Sequence, residues 1–256
     1  MLKTNYFVIL LLFSLLAMKP IPQHTLYVIG DSTVKNGQGD GRDGLWGWGS
    51  VLSIHFDTTQ LKIENHALGG TSSRTYLTKG LWQQVLNKLQ KGDYLLMQFG
   101  HNDSSPLDDT ARARGTLKGV GDETREIYNP ITMQREVVHT YGWYLTKFID
   151  EAKAKGVRVL VCSPIPRNQW KDDRVIRSVD SYAQWAKLVA KREKVDFIDL
   201  NKRIADDYDA MGEQAVQAYF LTDHTHTNRA GAEKNAAIVA TAIKDLPQNE
   251  LKSYLK

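Results

Sequence analysis

The chain has 256 residues, 42% of them hydrophobic and 24% charged, with a formal net charge of +4. That is ordinary composition for one globular domain, and no basic block stands out, so neither nucleic acid nor an anionic membrane is implied as a partner. The single cysteine, Cys162, excludes an intrachain disulfide.

Residues 1–22 read as a secretory signal, with residues 23–256 as the mature domain. Lys3 gives the positive start, and Tyr6 to Ala17 is an almost unbroken apolar run of signal length, too short to cross a bilayer comfortably. Removing Lys3 and Lys19 leaves 31 of the 33 basic residues against 29 acidic ones. The expected location is secreted or periplasmic. An uncleaved N-terminal anchor is the competing reading, and no other membrane association is expected.

Leu26 to Ile29 reads as a buried strand that Gly30 and Asp31 end, placing Ser32 at a strand-to-turn junction. Trp46 to Phe56 is predicted as a first helix and Leu61 to Asn65 as a second strand. A small-residue turn, Ala67 to Arg74, follows, and then Leu81, Val85 and Leu89 at helical spacing. Asp93 to Phe99 is the next strand, ending at Gly100-His101-Asn102-Asp103. Residues 103–130 lack a sustained apolar period and read as a long loop, either functional or mobile.

Val137, Tyr141, Leu145, Phe148 and Ala152 mark one face of a long helix stopped at Gly156. Val157 to Cys162 is a fourth strand, with Pro164 and Pro166 forbidding regular structure beyond it. Tyr182, Trp185 and Val189 mark another helix, and Val195 to Leu200 a fifth strand. The cluster Leu221 to Thr227 precedes a helix carrying Ala232, Ala236, Val239 and Ile243. Strands that are continuous apolar runs, alternating with helices, predict one doubly wound α/β domain, a flavodoxin-like parallel sheet between helices with right-handed crossovers.

Loops at the carboxyl edge of such a sheet converge in space. Four clusters fall there: Ser32, Gly69-Gly70, Asn102 and Asp223/His226. A serine hydroxyl needs a base within reach and donors for the oxyanion that forms after attack. Asp223 and His226, three residues apart, would share a face in a helical turn, so the carboxylate could hold one imidazole nitrogen and leave the other for Ser32. His224 is the rival base. The Ser32 and Gly70 N–H groups and the Asn102 side chain supply three donors for an oxyanion. The sequence Gly30-Asp31-Ser32-Thr33-Val34 lacks the second glycine of the strained Gly-x-Ser-x-Gly elbow.

This ordered set resembles the SGNH (GDSL-like) hydrolases. Gly30-Asp31-Ser32, Gly70, Gly100-His101-Asn102-Asp103 and Asp223-x-x-His226 are similar to that family's four blocks, over roughly residues 25–245. Gly30-Asp31-Ser32-Thr33-Val34, Phe99-Gly100-His101-Asn102-Asp103 and the run from Asp223 to Glu233 further resemble rhamnogalacturonan acetylesterases. The resemblance implies a metal-free, cofactor-free Ser-His-Asp esterase that removes acetyl groups from pectic polysaccharide. Its catalytic residues would be Ser32, Asp223 and His226, with an oxyanion hole of Ser32, Gly70 and Asn102. Fungal members of that group carry disulfides, which this chain cannot form.

The implied partner is an acetylated polysaccharide or oligosaccharide, bound by a monomer. Acetylxylan, another acetylated glycan or a short-chain ester is the alternative substrate, and a non-catalytic carbohydrate-binding protein the alternative class. Each cluster also has a plain structural reading: Ser32 as a helix N-cap, Gly69-Gly70 as a turn, Asn102 as a capping residue, Asp223 as a cap beside a surface His226. His224-x-His226 with Asp223 could instead ligate a metal. His101 is expected to brace its loop. Trp46, Trp48 and Trp143 read as core, and Trp82 and Trp170 as the better candidates for contact with sugar.

Overall fold

The computed structural model describes residues 24–256; the segment read as a secretory signal lies outside the described residues. The strands are β1 (His24–Gly30), β2 (Leu61–Asn65), β3 (Tyr94–Gln98), β4 (Thr124–Asn129), β5 (Gln134–His139), β6 (Arg158–Cys162), β7 (Trp170–Lys171), β8 (Arg174–Val175) and β9 (Asp196–Ile198). The helices are α1 (Ser73–Thr78), α2 (Leu81–Lys88), α3 (Tyr141–Ala154), α4 (Tyr182–Glu193), α5 (Leu200–Met211), α6 (Glu213–Gln217) and α7 (Arg229–Asp245).

Five strands form one all-parallel sheet in the order β2-β1-β3-β6-β9. Counting the core strands alone, that is the doubly wound order 2-1-3-4-5, whose direction of winding reverses between β1 and β3. Side chains alternate along β1. Leu26 and Val28 pack with Trp48, Phe56, Ile204 and Val239 on one face, whereas Tyr27 and Ile29 pack with Tyr76, Trp82, Phe148 and Val189 on the other. Both faces are covered by helices and turns, so the strand reads as a continuous apolar run. Phe148 is fully buried with its ring 4.9 Å from Trp82 and 6.0 Å from Phe99. Truncating it to alanine would cost about 3–5 kcal/mol in lost burial and cavity. Trp82 is therefore core, 1% exposed, and no platform for sugar.

The structure corrects four local expectations. Trp46 to Phe56 is not an α-helix but two short 3-10 turns, Trp48–Ser50 and Leu52–His55. Here the backbone passes so close to the turn after β1 that a Cβ on Gly47 would lie 2.3 Å from the Lys35 nitrogen. Val137 does not belong to the α3 face; it is half-exposed in β5, and Thr140 caps α3 by accepting from the Trp143 N–H. The 103–130 stretch is not loop throughout, because its last residues form β4, paired antiparallel with β5 in a hairpin. Leu200 starts α5 rather than ending β9, and α5 and α6 were not foreseen. The spacing of Leu200, Ile204, Ala205, Tyr208 and Met211 carries the signal for α5.

The long loop is fastened by one buried cation. Arg74, wholly buried in α1, forms a two-pronged pair with Glu136 of β5, each contact 2.7 Å, and donates to the carbonyls of Leu107 and Gly115 at 2.8 Å. Every nitrogen of the guanidinium thus has an acceptor, as burial of that charge requires.

Candidate active site

Ser32 follows β1, Gly70 follows β2 and Asn102 follows β3, all at the carboxyl edge of the sheet. Asp223 and His226 stand in the loop before α7. The Asp31 carboxylate shapes the turn that presents Ser32. Its Oδ1 accepts from the Thr33 N–H at 2.9 Å and the Thr33 hydroxyl at 2.8 Å, and its carbonyl accepts from the Val34 and Lys35 N–H groups. Behind it, Trp48 donates to Gln98 at 2.9 Å and Gln98 donates to Thr33 Oγ1 at 2.6 Å. This buried chain of donors fixes the turn; Trp48 was expected in the core, whereas Gln98 and Thr33 had no assigned part.

Asp223 and His226 do not share a helical turn, as expected from their spacing, because the segment 221–227 is non-helical. The Asp223 carboxylate instead organises its own loop. Oδ1 accepts from the Thr225 and His226 N–H groups at 2.6 and 2.8 Å, and Oδ2 accepts from His226 Nδ1 at 2.7 Å. The loop is tied down by Trp46, whose N–H donates to the Thr227 carbonyl at 2.7 Å while the Thr227 hydroxyl donates back at 2.8 Å.

His226 Nε2 lies 2.8 Å from Ser32 Oγ. With the Nδ1 proton directed at Asp223, Nε2 carries the lone pair, and Ser32 is the donor. The geometry therefore allows proton removal from Ser32 and stabilisation of the imidazolium that results. Burial raises the Asp223 carboxyl, but hydrogen bonds from the His226 ring and from the backbone outweigh it and hold the group below its ordinary value. Both ring nitrogens of His226 are thus engaged within the Ser32–His226–Asp223 set. His224 is exposed, with Nε2 3.5 Å from Arg167 Nη1, and makes no contact with Ser32.

Among the described residues, neither the Ser32 nor the Gly70 N–H donates to any acceptor. Gly70 has φ +79°, a left-handed conformation that its missing Cβ makes inexpensive. Asn102 Nδ2 donates one proton to the Thr71 carbonyl at 2.8 Å, which binds the β3 turn to the β2 turn and leaves its second proton free. Ser32, Gly70, Asn102 and His226 line one open cleft of about 690 Å³. Two unsatisfied backbone donors and one amide proton at a common wall suit an oxyanion.

His101 braces the edge, as its position suggested. Its Nε2 is 3.0 Å from the Ile165 carbonyl, which can only accept, so that nitrogen carries a proton. Its Nδ1 lies 3.4 Å from Asp31 Oδ2 without hydrogen-bond alignment. Burial raises the Asp31 carboxyl, but His101 and the Thr33 donors overcome it and leave the group lowered. Asp103 differs: it is fully buried, accepts from the Ser73 N–H and hydroxyl, and is pushed up to about 7 by burial despite those bonds.

Residues 28–234 match the GDSL-like lipase/acylhydrolase family. A rhamnogalacturonan acetylesterase of Emericella nidulans is 33% identical over 220 residues, covering 86% of this chain and 82% of that one. The rhamnogalacturonan acetylesterase RhgT of Bacillus subtilis is 28% identical over 243 residues, covering 89% and 91%. The solved structure of the YxiM protein of Bacillus subtilis superposes with a TM-score of 0.70 at 26% identity, covering 88% of this chain and 57% of that one. The match spans both ends of the cleft, and the chain belongs to the GDSL-like lipase/acylhydrolase family and is a serine esterase.

Proposed function

We propose that this esterase removes acetyl groups from a polysaccharide and that acetylated rhamnogalacturonan is its preferred substrate. The observation that carries the reading is the His226 ring, held by Asp223 at 2.7 Å on one side and facing Ser32 Oγ at 2.8 Å on the other, on the wall of an open cleft. The names borne by the two relatives support the choice of polymer.

In this reading Ser32 Oγ attacks the acetyl carbonyl while His226 takes its proton. The tetrahedral oxyanion is held by the Ser32 and Gly70 N–H groups and the Asn102 amide. His226 then returns the proton to the departing sugar hydroxyl. Water, deprotonated by the same ring, attacks the acetyl-enzyme and releases acetate. Asp223 keeps the Nδ1 proton in place and stabilises the imidazolium at each stage.

The test is acetate release from acetylated rhamnogalacturonan and acetylated xylan, measured side by side. Faster release is expected from the pectic polymer. Equal or greater release from xylan would shift the assignment to a different acetylated glycan.

A further inference from the structure

The cleft that holds Ser32 and His226 is lined by four cations, Lys79, Arg112, Arg114 and Arg167, and by no acidic side chain. None of the four makes an ion pair with a carboxylate among the described residues, although most other arginines of the chain that form ion pairs do so on its outer surface. Asp109 of the same loop accepts from the N–H groups of Ala111, Arg112 and Ala113 and pairs with none of the four, although its charge acts on Arg114. Two of the cations have structural work: Arg114 donates to the Gly70 carbonyl at 3.1 Å and to Ser105 Oγ at 3.0 Å, and Arg167 donates to the Thr225 hydroxyl. The side chains of Arg112 and Lys79 bond to nothing among the described residues.

Arg112 and Arg114 stand side by side over Gly70. A Cβ placed on Gly70 would be 3.4 Å from Arg112 Nη1 and 3.8 Å from Arg114 Nη1. Like charges held this close repel; Asp109, Asp31 and Asp103 offset part of that repulsion at Arg114 without forming an ion pair with either guanidinium, so an added anion would still be favoured between them. Burial and then the proximity of Arg112 lower the Arg114 guanidinium below its ordinary value. A planar guanidinium matches a carboxylate in two-pronged fashion, and Lys79 supplies a point charge beside it.

We infer that Arg112 and Lys79 form a subsite for the carboxylate of a uronic acid in the substrate chain, next to the sugar whose acetyl group meets Ser32. This rests on the polysaccharide acetylesterase reading and deepens it: selectivity for an acidic polymer over a neutral one comes from this wall. The loop of residues 103–123 brings Arg112 to the cleft, which gives that insertion a function. Beyond the shared wall of His101 and Arg167 lies a second concavity of about 510 Å³, room for a polymer to continue.

The experiment compares wild type with Arg112→Gln, Lys79→Gln and the double variant on three substrates: acetylated rhamnogalacturonan, the same polymer with its uronic acids reduced to alcohols, and p-nitrophenyl acetate. Losing charge-assisted bonds to one carboxylate costs about ten- to a hundred-fold in affinity. The double variant is therefore expected to lose at least tenfold in the ratio of kcat/KM on the acidic polymer to kcat/KM on p-nitrophenyl acetate, chiefly through KM. Wild type is expected to favour the acidic polymer over its reduced form by a similar factor, and high salt to erase the difference. An unchanged ratio in the double variant, or equal turnover of the two polymers by wild type, overturns the subsite. If wild type cleaves p-nitrophenyl acetate but neither polymer, the polysaccharide reading fails by itself. Competitive inhibition by unacetylated oligogalacturonate then decides the subsite: weakened tenfold or more in the double variant, it stands; absent or unaltered, it falls.

Discussion

Asp223 grips His226 twice, through the backbone N–H at 2.8 Å and through ring Nδ1 at 2.7 Å, so one carboxylate sets both the path of the loop and the tautomer of the imidazole. The Asp223 side chain is 41% exposed and that of His226 26%. Hydrogen bonds, rather than enclosure, therefore position the carboxylate.

Replacing Asp223 by asparagine keeps an acceptor for the two backbone N–H groups but offers the ring an amide that can donate. The Nδ1 proton then loses its fixed place, and Nε2 no longer faces Ser32 reliably as a base. Asp223→Asn is expected to fold and to lose about 10³–10⁴ in kcat on p-nitrophenyl acetate. Far-ultraviolet circular dichroism alongside the assay separates this from loss of fold.

Asn102 is placed to do two things at once, since its amide ties down Thr71 and keeps a proton for the cleft. Asn102→Ala is expected to lower kcat by about a hundred-fold or more, in the range for one oxyanion donor. The loss should appear in kcat more than in KM, which steady-state kinetics will show.

Arg74 is the fastening of the hairpin and of the loop that carries Arg112. Arg74→Leu leaves Glu136 without its guanidinium and the Leu107 and Gly115 carbonyls without their donor. A loss of about 3–5 kcal/mol in unfolding free energy is expected, the cost of breaking a buried pair from one side. Urea denaturation measures it.

The Asp103 carboxyl titrates at about 7 in the fold, well above its ordinary value of 3.8, because burial disfavours the charge. Between those values the folded state keeps a proton that the unfolded state has released. Its contribution to stability is complete below pH 4 and is lost as the pH rises through 7, at about 1.4 kcal/mol per pH unit at most. Asp103→Asn removes that slope. Unfolding free energies of wild type and variant at pH 4.5, 5.5 and 6.5 should diverge steadily, with wild type declining relative to the variant as pH increases.

Much of the site was legible because its parts are local. A strand must end before Ser32 can be presented, and an apolar run followed by Gly30-Asp31 says so; the same logic placed Asn102 after β3. The Asp223–His226 pairing was legible from spacing, though the loop achieves it with backbone N–H groups rather than a helix. Other features depend on distant partners. Trp46 to Phe56 alternates bulky apolar and small residues, but its Gly47 backbone packs directly on Val34 and Lys35, a tertiary contact that the local sequence does not reveal. Val137 continues the apolar period of α3 by coincidence, since the β4–β5 pairing decides its conformation. The charged wall was hidden because Lys79, Arg112 and Arg167 are unremarkable surface cations until the fold gathers them around Gly70 and His226.

The most direct test of the whole account is Ser32→Ala, read by acetate release from acetylated rhamnogalacturonan and by hydrolysis of p-nitrophenyl acetate. The variant keeps the cleft, the cations and the Asp223–His226 pair and lacks only the hydroxyl. Activity on both substrates is expected to fall by at least about a thousand-fold. A variant within tenfold of wild type would show that Ser32 does not form the acyl-enzyme.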